Sequence, residues 1–291
     1  DSLHFPTYVL ETDVALYFEN SPEYRERVRI SSRDTTLRFG FAGRISFVRF
    51  DARNSLLADV LERKPLEQWI AQAEYDPSVG GRYDAAKYLS AGTPTPEKRD
   101  ALMRVAVGDE SSLVRKEALL GLAAYTSSGL VLRYLFDRSE TDPSGACRAA
   151  AIRVLADAGD PSAVATFRRA LEDPSYGVVA EAVTALGRTT PATWWAAIES
   201  VTGIRAPNSI VEMAILAVLE DRPSTDADGY ILELLEPVNP ARVRLAALAA
   251  YRKYASLGQE WSSRVRSVAQ SLLSDRDLLV RNLARDILAE R

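Results

Sequence analysis

The sequence is poor in the side chains that most enzyme chemistry needs. It holds one histidine, His4, and one cysteine, Cys147. A single histidine excludes a zinc site built on two or three histidines within this chain. It would also oblige any Ser-His-Asp or Cys-His device to bring His4 to a distant nucleophile, so His4 reads as a solvated or strand-edge residue. A single cysteine excludes an intrachain disulfide, which fits a reducing compartment and does not exclude a periplasmic one. No G-x-x-x-x-G-K-[ST] or G-x-G-x-x-G stands between a strand and a helix; Gly40 and Gly43 read as a turn. There is no run of 18 apolar residues, hence no expected membrane span. No initiator Met, basic n-region or signal-like apolar stretch opens the chain. It begins at Asp1, straight into strand-like sequence, and is expected to be a piece of a longer polypeptide or a processed form, soluble and either cytoplasmic or periplasmic.

Lysine is also scarce: only Lys64, Lys87, Lys98, Lys116 and Lys253. The positive charge is almost all arginine, a skew as consistent with a GC-rich genome as with a need for bidentate pairing. The net charge of -4 and pI of about 5.4 argue against nucleic acid or an anionic membrane as partner. At 291 residues, 47% hydrophobic and 26% charged, the chain can bury a sizeable core.

Two regions differ in their period. Residues 1 to about 52 read as β: Tyr8-Val9-Leu10, Val14–Phe18, Arg25–Ile30, Thr36–Phe41 with Leu37, Phe39 and Phe41, and Ile45–Phe50. Turns are expected at Asn20-Ser21-Pro22 and Ala42-Gly43. Four or five short strands imply an antiparallel sheet or half a sandwich.

After about residue 60 the period becomes 3.6 and a repeat emerges. A small or apolar anchor recurs at Gly81, Val114, Cys147, Val178, Ile210, Val243 and Val280, in steps of 31–37 residues. Four residues on stands Ala85, Ala118, Ala151, Ala182, Ala214, Ala247 and Ala284; eight on, an apolar residue from Leu89 to Leu288. Arg follows the anchor at Arg82, Arg115, Arg148, Arg244 and Arg281, with Val179 and Val211 breaking the series. Five before the anchor stand Asp76, Asp109, Asp142, Asp173 and Asp275, with Arg205 and Val238 as exceptions. Such an Asp can cap the second helix of a hairpin and accept bonds from a neighbouring Arg, while the small Ala lets helices approach closely. First helices are expected at Leu66–Glu74, Pro96–Val107, Leu130–Asp137, Pro161–Leu171, Pro191–Val201, Asp228–Leu235 and Trp261–Leu273, three of them opened by a first-turn Pro. The pattern is that of HEAT repeats, so the expected fold is a mostly α HEAT-like α-α superhelix, or α-solenoid, preceded by a small antiparallel β-sandwich segment. The division is 1–58 for the β segment and 59–291 for about seven repeats.

Several features are read structurally. Glu11/Asp13 and Asp221/Asp226/Asp228 could supply oxygen ligands to a metal, yet Pro223, Ser224 and Gly229 mark the second group as a turn. Cys147 at an anchor is expected to be a packed core thiol. Of Trp194 and Trp195, one is expected in the core and the other at a contact surface.

The junction between the two regions carries a resemblance. The strand ending in Phe50-Asp51, then Asn54-Ser-Leu-Leu57, Trp69-Ile-Ala-Gln72 and Gly81-Arg82-Tyr-Asp-Ala85-Ala86, together with Phe5-Pro6-Thr7-Tyr8-Val9 upstream, resembles the aminopeptidase N family of zinc metallopeptidases. The similar region there is the end of the β-sandwich and the start of the helical C-terminal domain. The family's H-E-x-x-H zinc site and G-x-M-E-N loop are both missing, so the resemblance implies no catalytic, cofactor or metal residue here. It implies zinc only in a missing catalytic domain, and a parent that is an active metallopeptidase or an inactive relative.

The expected function is therefore a non-catalytic C-terminal module that supports such a domain and shapes peptide access, its partner being the parent's catalytic domain or another protein or peptide. The alternative is a freestanding HEAT-repeat scaffold that binds a protein partner. Second helices normally line the concave face of such a stack, and positions two and six after each anchor point away from the core. The candidate surface is Tyr83, Lys116, Leu120, Arg153, Glu212, Leu216 and Leu245, with the three leucines expected to be exposed.

Overall fold

The computed structural model describes residues 9–20, 22–41, 43–190 and 192–290; His4, the Phe5–Tyr8 stretch and Pro191 lie outside them. The chain divides into two compact units, Asp1–Tyr125 and Thr126–Arg291.

The first unit opens with a three-stranded antiparallel sheet in the order β2-β1-β3: β1 Leu10–Phe18, β2 Tyr24–Ile30 and β3 Ile45–Phe50. The register pairs Thr12 with Val28, Val14 with Phe50 and Leu16 with Val48. Period-two alternation thus gathers Val14, Leu16 and Val28 on one face, with Phe18, Ile45, Val48 and Phe50 around them. The expected strand at Thr36–Phe41 has no ladder. Its alternating aromatics pack instead: Phe39 joins that apolar face, and Phe41 meets the rings of Phe18 and Tyr24. Alternation records which side chains face the sheet, and here that is met without backbone pairing. The outer edge of β3 is blunted, since Phe50 N donates to Glu62 Oε1 at 2.8 Å and Lys64 Nζ to the Val48 carbonyl at 2.9 Å.

Two helical hairpins complete this unit: α1 Leu66–Tyr75 with α2 Val79–Ser90, and α3 Pro96–Gly108 with α4 Ser112–Gly121. Thr95 caps α3 by accepting from Lys98 N, with Pro96 at the first position.

Five hairpins make the second unit: α5 Gly129–Thr141 and α6 Gly145–Ala158; α7 Val164–Ala170 and α8 Tyr176–Thr189; α9 Trp194–Ile198 and α10 Ile210–Asp221; α11 Asp228–Leu235 and α12 Ala241–Arg252; α13 Gln259–Ser271 and α14 Leu278–Ala289. The chain is mostly helical with a small antiparallel sheet, as the two periods imply. Cys147, Val178, Val243 and Val280 are buried anchors, with Ala151, Ala182, Ala247 and Ala284 buried one turn on. Gly159 ends α6 in the left-handed region at φ 68°.

One repeat is displaced from the sequence alignment. In α10 the buried column is Val211, Ile215 and Leu219, whereas Ile210 is exposed and Ala214 only half-buried. The anchor is Val211. Apolar residues lie on several sides of α10, so a search for Ala selected the neighbouring register.

Candidate functional site

The turns inside the hairpins are built the same way five times over. An Asp carboxylate accepts from a backbone N–H two residues on: Asp76 from Ser78, Asp109 from Ser111, Asp142 from Ser144, Asp173 from Ser175 and Asp275 from Asp277, at 2.7–2.8 Å. The Arg after each anchor reaches back to its own turn. Arg82 Nη1 donates to the Asp76 carbonyl and Arg148 Nη1 to that of Asp142, at 2.9 and 2.8 Å. The rest of the guanidinium forks onto the Asp of the next hairpin: Arg82 on Asp109 at 2.6 and 3.1 Å, Arg148 on Asp173 at 2.7 Å twice, Arg244 on Asp275 at 2.9 and 2.7 Å. Each of these three rungs is a bidentate charged pair that ties one hairpin to the next.

The first rung comes from the sheet. Arg49 of β3, almost wholly buried, sits 3.3 Å from Asp76 Oδ2. A Cβ at position 81 would lie 2.1 Å from that oxygen and 2.6 Å from Arg49 Nη1, which explains why this anchor alone is Gly81. Burial pushes the Asp76 carboxyl above its ordinary range, against the bond from Ser78 and the charge of Arg49. The Arg244 fork instead holds Asp275 below it.

In the second unit the rungs vary as pairs. Where the Arg becomes Val179, the partner position (five before Val211) is Ala206, and both are buried apolar residues. A buried charge needs its counter-charge, so both members change together. The exception is in α10. Glu212 occupies the Arg position, is 4% exposed, and its Oε2 has no hydrogen-bond partner among the described residues. Its partner position is Val238, 83% exposed. The buried Tyr230 hydroxyl of α11 also lacks a partner. Burial first, then the Glu212 charge, push that hydroxyl above its usual range.

Along the same turn edge of the second unit stand exposed apolar residues: Tyr176 and Ile210 at the starts of α8 and α10, Val238 before α12, and Leu278 and Leu279 opening α14. The first unit repeats this with Tyr75, Val79, Val107 and Leu113. Sequence reasoning missed this edge because it sought the surface on the helix faces. The signal was present as an apolar residue just before several anchors.

The residues expected on the second-helix faces fare differently. Leu216 is 1% exposed and belongs to the core of α10. Its exposure was expected only because the anchor was placed one residue early, and the same displacement explains why Glu212 is buried. Leu120 and Leu245 are half-buried rather than exposed, and so is Tyr83. Lys116 is exposed. Arg153 is exposed and doubly bonded to Glu181 at 3.1 and 2.6 Å. Trp194 is buried, while Trp195 is half-buried with its ring 5.7 Å from that of Tyr230. Glu11 and Asp13 bind Arg27 and Arg25 across the sheet, and Asp228 accepts from the buried Tyr251 hydroxyl. Among the described residues no three His, Cys, Asp or Glu side chains gather as a metal site, and no helix is long and apolar enough to cross a membrane.

A family model described as HEAT repeats matches residues 132–199. Among solved structures, human deoxyhypusine hydroxylase in complex with glycerol is similar at 14% identity and TM-score 0.37, over 77% of this chain and 94% of that one. The CpcE–CpcF complex of phycocyanin lyase from Nostoc sp. is similar at 18% identity and TM-score 0.38, over 75% and 98%. No curated protein sequence matches the chain. The family match corrects the resemblance to aminopeptidase N: the matched family is HEAT repeats. The junction motifs have a structural explanation in the first unit. Asp51 accepts from Thr12, Ser55 and Leu56 N, Gln72 Nε2 donates to the Gly81 carbonyl, Trp69 stacks on Tyr88, and Arg82 forms a rung.

Proposed function

We propose that this chain is a HEAT-repeat scaffold that binds a protein partner along the turn edge of its hairpins. The observation that supports this reading is the recurrence of exposed apolar side chains at one structural place, with Tyr176, Ile210, Val238, Leu278 and Leu279 in successive turns of the second unit. Turns that only face water carry Gly, Asn, Asp and Ser, and apolar residues gathered at one edge mark an interaction surface. Nearby charges are neutralised within the chain, as Arg205 is by Glu233, which suits an apolar strip with a polar rim. Lys116 in the first unit and Arg153 in the second are then peripheral, on the second-helix faces.

The test is a doubly substituted chain, Ile210→Asp with Val238→Asp. Both positions are exposed, so the melting temperature should hold while partner co-purification from the native host is lost. Undiminished co-purification would contradict the reading.

A further inference from the structure

We infer that the broken rung in α10 is a receptor for a basic side chain, an arginine flanked by apolar residues in the bound protein. The inference rests on the scaffold reading and names the chemistry its partner should present. Elsewhere in the second unit a rung position holds either a charged pair, as in Arg148–Asp173 and Arg244–Asp275, or an apolar pair, as in Val179 and Ala206. Only Glu212 places a buried carboxyl group opposite an apolar residue, and its Oε2 is left without a bond. An uncompensated buried acceptor is costly, and a guanidinium delivered from outside would complete the rung with reversed polarity. The same guanidinium has donors to spare for the Tyr230 hydroxyl oxygen, the second buried group without a partner at this place.

The rim fits such a ligand. Ile210 and Val238 are exposed in the turns before α10 and α12, ready for the apolar neighbours of the incoming residue. Glu212 is reached only if one turn yields. The turn before α10 holds two successive non-glycine residues in the left-handed region, Asn208 at φ 53° and Ser209 at φ 47°, conformations that persist only while their surroundings enforce them.

The experiment titrates the full chain with two acetylated, amidated tripeptides, Leu-Arg-Leu and Leu-Gln-Leu, and reads affinity by calorimetry and the Glu212 side-chain carboxyl by carbon NMR. The wild type should bind the arginine peptide at least about tenfold more tightly than the glutamine peptide, the scale of a charge-assisted hydrogen bond, with a saturable shift at Glu212. Glu212→Gln should erase the preference without lowering the melting temperature. Equal affinity for both peptides, no binding of either, or a preference retained in Glu212→Gln would overturn the inference. If the peptides bind equally and Val238→Asp abolishes both, the turn edge stands as a docking surface and only the basic side chain is refuted.

Discussion

Replacing Asp275 with Asn tests the rung most severely. Arg244 is wholly buried, and the Asp275 carboxylate that it grips is 3% exposed. Asn keeps the shape and removes the charge, leaving a guanidinium with only the Asn239 carbonyl at 2.6 Å and a neutral amide. Stranding one member of a buried ion pair costs about 3–5 kcal/mol. For a body of this size each kcal/mol moves the midpoint by about 2–4 °C, so the transition of the second unit should fall by about 6–20 °C. Thermal unfolding followed by circular dichroism, with urea titration alongside, reads it. Asp157→Asn is the control, because the Arg188–Asp157 pair is half-exposed on both sides and such pairs contribute about 0–1 kcal/mol. The double variant Arg244→Met with Asp275→Leu should recover most of the loss, since a packed apolar pair can replace a buried charged one. If Asp275→Asn costs no more than Asp157→Asn, the rungs do not hold the hairpins together and the reasoning fails.

Further outcomes follow from the same contacts. Val179→Arg alone should destabilise by about 3 kcal/mol or more by burying an unpaired charge, and adding Ala206→Asp should recover part of it in urea titrations. Gly81→Ala should destabilise the first unit despite the better helix propensity of Ala, because the new Cβ would strike the Arg49–Asp76 pair. Gly187→Ala should do the same in the second unit, where the Cβ would lie 2.4 Å from Val218 Cγ1. With pH the pairs act in opposite directions. Asp275 has a lowered folded pKa, so its contribution is complete above the unfolded value of about 3.9 and is lost as pH falls through the folded one. Burial raises Asp51, but bonds from Ser55, Thr12 and Leu56 outweigh it and hold it at about 2, so its contribution fades from about pH 4 toward about pH 2. Asp76, raised, opposes folding above its unfolded value and ceases to as pH falls. Acid titration of unfolding free energy should show the net loss below about pH 4 in the wild type and a smaller one in the Arg244→Met/Asp275→Leu variant.

Much of the fold was legible because its causes are local. The switch of period near residue 60, the Pro starts and the recurrent Arg and Asp each report a contact within one or two hairpins. The pairing of those columns was partly visible: at Val179 and at Val211, both taken as breaks in the Arg series, the Asp partner was missing too. The correct register at Val211 was hidden because α10 has apolar residues beside each core position, and sequence spacing cannot say which of two adjacent residues faces inward. The Thr36–Phe41 stretch was misread because a packed loop and a paired strand impose the same alternation. The turn edge went unread for a different reason: exposure is a property of the assembled hairpins, and Val238 is distinguished from a core valine only by its place in a turn. The unpartnered Glu212 Oε2 depends on that register and could not be found before it.

The scaffold reading is tested most directly by placing a photo-crosslinking amino acid at Val238, and separately at Arg153 on the face of α6, in the chain as it exists in its native host. A discrete protein adduct from position 238, competed by untagged wild-type chain and weak or absent from position 153, is the predicted result. Adducts from position 153 with none from 238 would place the partner on the helix face and contradict the account.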